Sequence, residues 1–238
     1  MKILITGGGS GLGKTLVKML ANNKKNKIFF TYCHSLSSSE DIENKFDNTK
    51  KIHLDFSDEE SISSILKKIP KLDCDALINN AYGPYENIHF RKIDIEKIEK
   101  SFKVNILPTI KITQAMIDIF AAKKFGKIIN VLTSYLVSNP PIGLSEYVAN
   151  KAYLLSMNKS WATEYARLNV TSNAVSPSIM RNNFTKNIDE RILDIAESKH
   201  PLKKLICEKE VCKVISFILN SSQHLNGQNI ILNAAEDL

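Results

Sequence analysis

Short apolar runs alternate with stretches of helical periodicity along nearly the whole chain, and that alternation leaves few folds open. Residues 2–6 form an apolar run closed by Gly7, the signature of a buried strand. Leu16, Val17, Leu20 and Ala21 then recur at helical spacing. Residues 27–32 are a second apolar run, and residues 37–46 open on serines and read as a short helix. A third strand covers 51–54 and ends at Asp55. Ser57-Asp58-Glu59-Glu60 opens a helix with Ile62, Ile65, Leu66 and Ile69 on its apolar side, and Pro70 ends it. Further strands are predicted over 75–79, 126–132, 170–175 and 229–232. Between them lie a long helical pattern over 94–122 kinked at Pro108, a helix from 145 to about 168, a short one near 189–198, and a last one over 208–219. The pattern predicts an α/β fold in three layers: a doubly wound parallel sheet of about seven strands with helices on both faces.

No repeat, low-complexity tract or linker divides the sequence, so residues 1–238 are expected to form a single domain. Residues 177–205 are long, polar and broken by prolines. A segment of this kind in a compact domain is expected to be a substrate loop or lid. The formal net charge is +7, mostly from scattered lysines. A solvated surface and attraction to an anionic ligand or acidic carrier both fit it. No basic stripe interleaves with aromatics, so nucleic acid is not an expected partner. No apolar run approaches the ~18 residues needed to span a bilayer, and Met1-Lys2 leads straight into the first strand without a secretory signal. Cys33, Cys74, Cys207 and Cys212 form no Cys-x-x-Cys pair and no metal-ligand spacing. Reduced thiols, a cytoplasmic location and no metal are the expectation.

The first strand runs into Thr6-Gly7-x-x-x-Gly11-x-Gly13. The spacing differs from Gly-x-Gly-x-x-Gly, yet the physics is the same. Gly7 turns the chain sharply out of the strand. Gly11 and Gly13 remove side chains, so backbone N–H groups and the helix N-terminus can approach a pyrophosphate. With strand, loop and helix in order, the segment reads as a Rossmann-type dinucleotide site. Where NAD-type folds place an acid on the adenosine ribose, the second strand ends in Tyr32-Cys33-His34-Ser35. The missing acid permits a 2′-phosphate, and His34 and Ser35 could donate to it. NADP(H) is therefore favoured over NAD(H). A solvated loop residue is the alternative for His34.

Tyr147 and Lys151 are four residues apart, one helical turn, on one face. A lysine ammonium ~4 Å from a phenol, at an effective dielectric of ~20, favours the phenolate by roughly 4 kcal/mol. Such a phenol can exchange protons near neutral pH. The same spacing also occurs by chance on exposed helix faces.

Taken together, the motifs resemble the short-chain dehydrogenases/reductases, in the compact branch that includes the beta-ketoacyl carrier-protein reductases. The resemblance covers nearly the whole length. It rests on the glycine loop, Asp55, Asn79-Asn80-Ala81, Val104-Asn105, Ser134 thirteen residues before Tyr147, and Asn173-Ala174-Val175-Ser176-Pro177. It implies Asn105, Ser134, Tyr147 and Lys151 as the catalytic set. It implies cofactor contacts from Gly7, Ser10, Gly11, Leu12, Gly13, His34, Ser35, Asp55, Phe56, Asn80, Ala81, Tyr147, Lys151, Pro177, Ile179 and Asn182. The implied reaction is reversible hydride transfer between NADP(H) and a carbonyl or hydroxyl substrate. Ser134 would bind the carbonyl oxygen, Tyr147 would donate the proton, and Asn105 would position a water that relays protons to Lys151.

The implied substrate is a small or carrier-bound ketone such as a beta-ketoacyl thioester, and the implied assembly a homodimer or homotetramer. Residues 82–90, 135–144 and 179–202 are the expected substrate walls, with Arg91, Arg181 and Lys199 as their notable bases. A nucleotide-sensing module without catalysis and a sugar-modifying dehydrogenase are the competing readings. Three departures stand out. Tyr82 and Ser178 replace glycines usual in the family, and Asn233-Ala234-Ala235 replaces Asp-Gly-Gly.

Overall fold

The computed structural model describes residues 1–186 and 188–236. One parallel sheet of seven strands runs through it: β1 (Lys2–Ile5), β2 (Lys27–Tyr32), β3 (Thr49–His53), β4 (Ala76–Asn79), β5 (Gly126–Val131), β6 (Val170–Pro177) and β7 (Asn229–Leu232). Their order across the sheet is β3-β2-β1-β4-β5-β6-β7. Eight α-helices connect the strands: α1 (Gly11–Ala21), α2 (Leu36–Lys45), α3 (Glu59–Leu72), α4 (Ile95–Asn105), α5 (Leu107–Lys123), α6 (Ser145–Glu164), α7 (Glu190–Lys199) and α8 (Glu208–Asn220). The three-layer doubly wound arrangement expected from the alternation is the one observed.

Both sheet faces are apolar because successive side chains of each strand point to opposite sides. Ile3, Ile5, Ile28, Phe30, Ile78 and Ile129 pack on α1 and α8, through Leu16, Val17, Val211 and Ile215. Leu4, Phe29, Leu77 and Ile128 pack on α3 and α5, through Ile62, Ile65, Ile112 and Met116, with Trp161 of α6 in the same cluster. Fully burying one such side chain is worth roughly 1.5–3 kcal/mol. The register Ile5↔Phe30 and Ile5↔Ile78 keeps the same face aligned across three strands.

Several boundaries differ from the sequence reading. Pro70 does not end α3. The helix continues to Leu72 and stops where Asp73 turns left-handed, with φ of 50°. Pro70 falls in the last turn, where its missing N–H loses only one helical bond, and Ile69 and Leu72 hold that turn against the core. Its N-terminus behaves as the sequence suggests: Asp58 accepts the N–H groups of Glu60 and Ser61, a cap worth about 1 kcal/mol. The long pattern over 94–122 is two helices, α4 and α5, meeting at Ile106. Pro108 cannot donate to the residue four positions earlier, so the break lies just before the proline. The Thr109 hydroxyl takes up the Asn105 carbonyl at 2.9 Å. Helix α6 ends at Glu164, with a separate 3₁₀ turn over Ala166–Leu168, and β6 runs on to Pro177. No helix among the described residues is long and apolar enough to cross a membrane.

Candidate active site

The chain reverses its direction of strand addition between β1 and β4, and ligands bind at such switch points beyond the C-terminal strand ends. Here the two strand ends are tied together. The Thr6 hydroxyl oxygen accepts the N–H groups of Asn80 and Ala81, both at 3.0 Å. Asn80 Nδ2 donates to the carbonyls of Thr6 and Gly7, also at 3.0 Å each. Gly7 has φ of 67°, a left-handed turn that glycine adopts without penalty. At Gly13 a Cβ would lie 2.1 Å from the Gly7 carbonyl oxygen, so α1 seats directly on the loop only because this residue is glycine.

This cradle suits a pyrophosphate. The Ser10 side chain makes no capping bond to α1, and no acid lies in the first turn, which leaves the start of α1 open to an anion. A Cβ at Gly11 would meet nothing nearer than Glu208 Oε1 at 3.7 Å. Glu208, which sequence reasoning missed, accepts the Thr15 hydroxyl. Leu12 is buried beneath the loop. The residues expected at the adenosine end lie just past β2 and β3. His34 is exposed, and Ser35 occupies the N-cap of α2. Asp55 accepts the Ser57 hydroxyl at 2.7 Å and its N–H at 2.8 Å. Those bonds hold its carboxyl below the usual range. Phe56 beside it packs onto the α3–α5 core. Pro177 pairs with Leu232 at the end of β6, and half-buried Ile179 follows it.

Tyr147 and Lys151 lie one turn apart on α6, both buried. Lys151 Nζ donates to the Val131 carbonyl at 2.8 Å and sits 5.8 Å from the centre of the Tyr147 ring. Ser134 is buried in a 3₁₀ turn just past β5, where the Thr133 hydroxyl oxygen accepts the Tyr135 N–H. Asn105 stands at the end of α4, and Ser134 follows the strand onto whose end Lys151 is tied.

The surroundings of this group bear on two of those expectations. The Tyr147 pKa is raised rather than lowered. Burial pushes the phenol up, the neighbouring Tyr82 adds to the shift, and a hydrogen bond with Thr133 offsets it only in part. The same burial pushes Lys151 down to about 7. The sequence argument used a surface-like dielectric, whereas the pair lies where desolvation disfavours both charges. Asn105 also has another occupation. Its Oδ1 accepts the Gly83 N–H at 2.6 Å and its Nδ2 donates to Ser101 at 3.2 Å, so its amide braces the loop after β4. Asn182 is turned likewise into its own segment, where its Oδ1 accepts the Phe184 N–H at 2.9 Å.

Phe184 belongs to an aromatic group that the sequence did not single out. Tyr82, Tyr85 and Phe184 surround the Tyr147 ring with centroid separations of 5.3, 5.0 and 6.1 Å. Of the bases expected in the substrate walls, Arg181 pairs with Glu190, Asp194 and Glu197 of α7. Its charge is committed to α7.

Comparison with known proteins decides the family. The model of the short chain dehydrogenase family matches residues 1–193. The chain belongs to the short-chain dehydrogenases. Members similar to it over nearly their full length include the 3-oxoacyl-[acyl-carrier-protein] reductase FabG of Thermotoga maritima. That protein is 27% identical over 235 residues, covering 95% of this chain and 94% of the relative. FabG of Haemophilus influenzae is 29% identical over 236 residues, covering 94% and 96%. Among solved structures, ElxO with NADP bound superposes with a TM-score of 0.87 at 26% identity, covering 99% of this chain and 98% of that one. The matched residues include both the glycine loop and the Tyr147–Lys151 pair.

Proposed function

We propose that this protein is an NADPH-dependent reductase that converts a ketone, such as a beta-ketoacyl thioester, to the hydroxyl compound. The observation that supports the reading is the bond from Lys151 Nζ to the Val131 carbonyl, which ties the helix carrying Tyr147 and Lys151 to the end of β5, three residues before Ser134. The FabG relatives and NADP-bound ElxO support the substrate class and the cofactor.

The start of α1, with Gly7, Ser10, Gly11, Leu12 and Gly13, would hold the pyrophosphate. His34, Ser35, Asp55 and Phe56 would hold the adenosine end. Asn80, Ala81, Tyr147, Lys151, Pro177, Ile179 and Asn182 would hold the nicotinamide end. Held there, the nicotinamide would supply a hydride to the carbonyl carbon. Ser134 then hydrogen-bonds the carbonyl oxygen as negative charge develops, and the Tyr147 hydroxyl gives it a proton. A buried phenol with a raised pKa remains protonated until that moment, and a Lys151 ammonium 5.8 Å from the ring centre would stabilise the phenolate left behind. Asn105 acts by fixing Gly83 in the substrate floor. Residues 177–205, of which 187 lies outside the described residues, would close over the site as a lid on a single domain. The assembly is a homodimer or homotetramer, and the location is the cytoplasm.

A fluorescence titration with NADPH and NADH tests the cofactor, with tighter NADPH binding expected. Tyr147→Phe should lower carbonyl reduction by about 10²–10⁴-fold while NADPH binding persists. A folded Tyr147→Phe protein with undiminished turnover would sink the mechanism.

A further inference from the structure

Tyr82 stands where the family's pattern has glycine, and its side chain spans two adjacent faces of α6. On one face its ring lies against Lys151, with Nζ 4.4 Å from the ring centre. The same ring meets Tyr147 edge-on at 5.3 Å and 82°. On the next face its hydroxyl accepts Asn150 Nδ2 at 3.2 Å. Asn150 Nδ2 also lies within hydrogen-bond distance of Glu146, one turn earlier, and of Ser101 of α4, at 3.2 Å from the latter. Ser101 donates to Glu146 and accepts from Asn105, whose Oδ1 holds the Gly83 N–H. One network therefore fixes both the backbone next to Tyr82 and the far end of its ring.

We propose that Tyr82 is a positioning residue for the reduction: its ring seats the Lys151 ammonium and walls the Tyr147 phenol, and Asn150 sets the tilt of that ring. The proposal rests on the reading of Tyr147 and Lys151 as the proton-handling pair. An ammonium has three donors, and a ring face attracts it most strongly where water is excluded. Lys151 is 4% exposed and directs one donor at the Val131 carbonyl. The Tyr82 ring face supplies a second, diffuse partner that does not compete for a proton. Glycine at this position would leave that flank of Lys151 without a ring.

The titratable groups around the pair are Tyr82 and Tyr85 from the loop after β4, Tyr135 from the turn after β5, and Tyr147 itself. The acid of the network, Glu146, bears on the Tyr82 hydroxyl across Asn150 and Ser101. Burial keeps the Tyr82 phenol protonated, so the ring faces Lys151 as a neutral group. Lys151, held down to about 7 by burial, is the group whose charge the ring supports.

The test compares Tyr82→Phe, which keeps the ring and loses the Asn150 bond, with Tyr82→Leu, which keeps apolar volume without a ring face. Tyr82→Met serves as a second ring-free variant, and thermal melts establish that each is folded. NADPH affinity, kcat with a dicarbonyl probe and the pH profile of kcat are measured for all. Tyr82→Phe should retain kcat within about threefold. The ring-free variants should lose about tenfold in kcat, with the alkaline limb moved lower by roughly one pH unit and NADPH affinity within about threefold of wild type. If wild type reduces the probe and the ring-free variants match it in kcat and pH profile, the inference is wrong while the proposed function stands.

If wild type neither binds NADPH nor reduces the probe, the proposed function fails. The Lys151 titration, followed by NMR on ¹³C-lysine-labelled protein, then decides the inference. A midpoint lower in the ring-free variants than in wild type and Tyr82→Phe supports it. The same midpoint in all of them overturns it.

Discussion

Lys151 Nζ donates to the Val131 carbonyl at 2.8 Å, so the lysine of α6 is latched onto the end of β5. The latch has a cost that pH exposes. Burial lowers the Lys151 pKa to about 7, against an ordinary value of ~10.4. Between those two values the unfolded chain binds a proton that the native protein does not. The native state therefore gains stability as pH rises through that window. From pH 7 to about 9.5 this one group should add on the order of 3 kcal/mol. Urea midpoints at the two pH values, for wild type and Lys151→Met, check it. The methionine variant should lack this gain, and parallel changes in the two proteins would show that Lys151 is not the source.

That result bears on what the sequence could reveal. The layered fold was legible because period-2 runs such as Ile3-Leu4-Ile5 and Ile28-Phe29-Phe30 feed both faces of one sheet. The cradle was legible because Gly7, Gly11 and Gly13 act through local backbone geometry. The sign of the Tyr147 shift was not, because desolvation depends on what the fold places around a side chain. The brace made of Ser101, Asn105, Glu146, Asn150 and Tyr82 was equally hidden, since its members come from α4, α6 and the loop after β4. One signal for it was present: Glu146 and Asn150 are four apart and each precedes a residue of the Tyr147–Lys151 pair. The helix break at Ile106 shows the same limit on a smaller scale, because Pro108 marks its neighbourhood and the tertiary setting fixes its position.

The departure at Asn233-Ala234-Ala235 has a definite structural consequence. Ala234 and Ala235 both adopt left-handed backbone, with φ of 52° and 62°. The Asn233 side chain secures the turn by accepting the Ala235 N–H at 3.2 Å and donating to the Glu236 carbonyl at 2.8 Å. Left-handed backbone costs an L-residue roughly 1–2 kcal/mol. Glycine removes that cost and returns roughly 0.4–1 kcal/mol in unfolded-chain entropy. Ala234→Gly and Ala235→Gly should each stabilise the protein by about 0.5–1 kcal/mol, read as a rise in the denaturant midpoint. A lower midpoint in both variants would show that the turn does not adopt this backbone in solution.

Cys33 reports on the adenosine end of the proposed cofactor site. Its Sγ lies 3.5 Å from His34 Nε2, beside the Asp55 carboxylate. Partial burial, and then the Asp55 charge, push its thiol up. Cys74 and Cys212 are buried and pushed up to about 12, while Cys207 is exposed. Alkylation depends on thiolate and access. Cys207 should therefore react first, Cys33 more slowly, and Cys74 and Cys212 only on unfolding. If His34 and Ser35 receive the adenosine end, saturating NADPH should slow alkylation of Cys33 by about tenfold or more by blocking access. Mass spectrometry of the tryptic peptides follows each site separately. An unchanged Cys33 rate at saturating NADPH would place the adenosine end away from the β2 terminus.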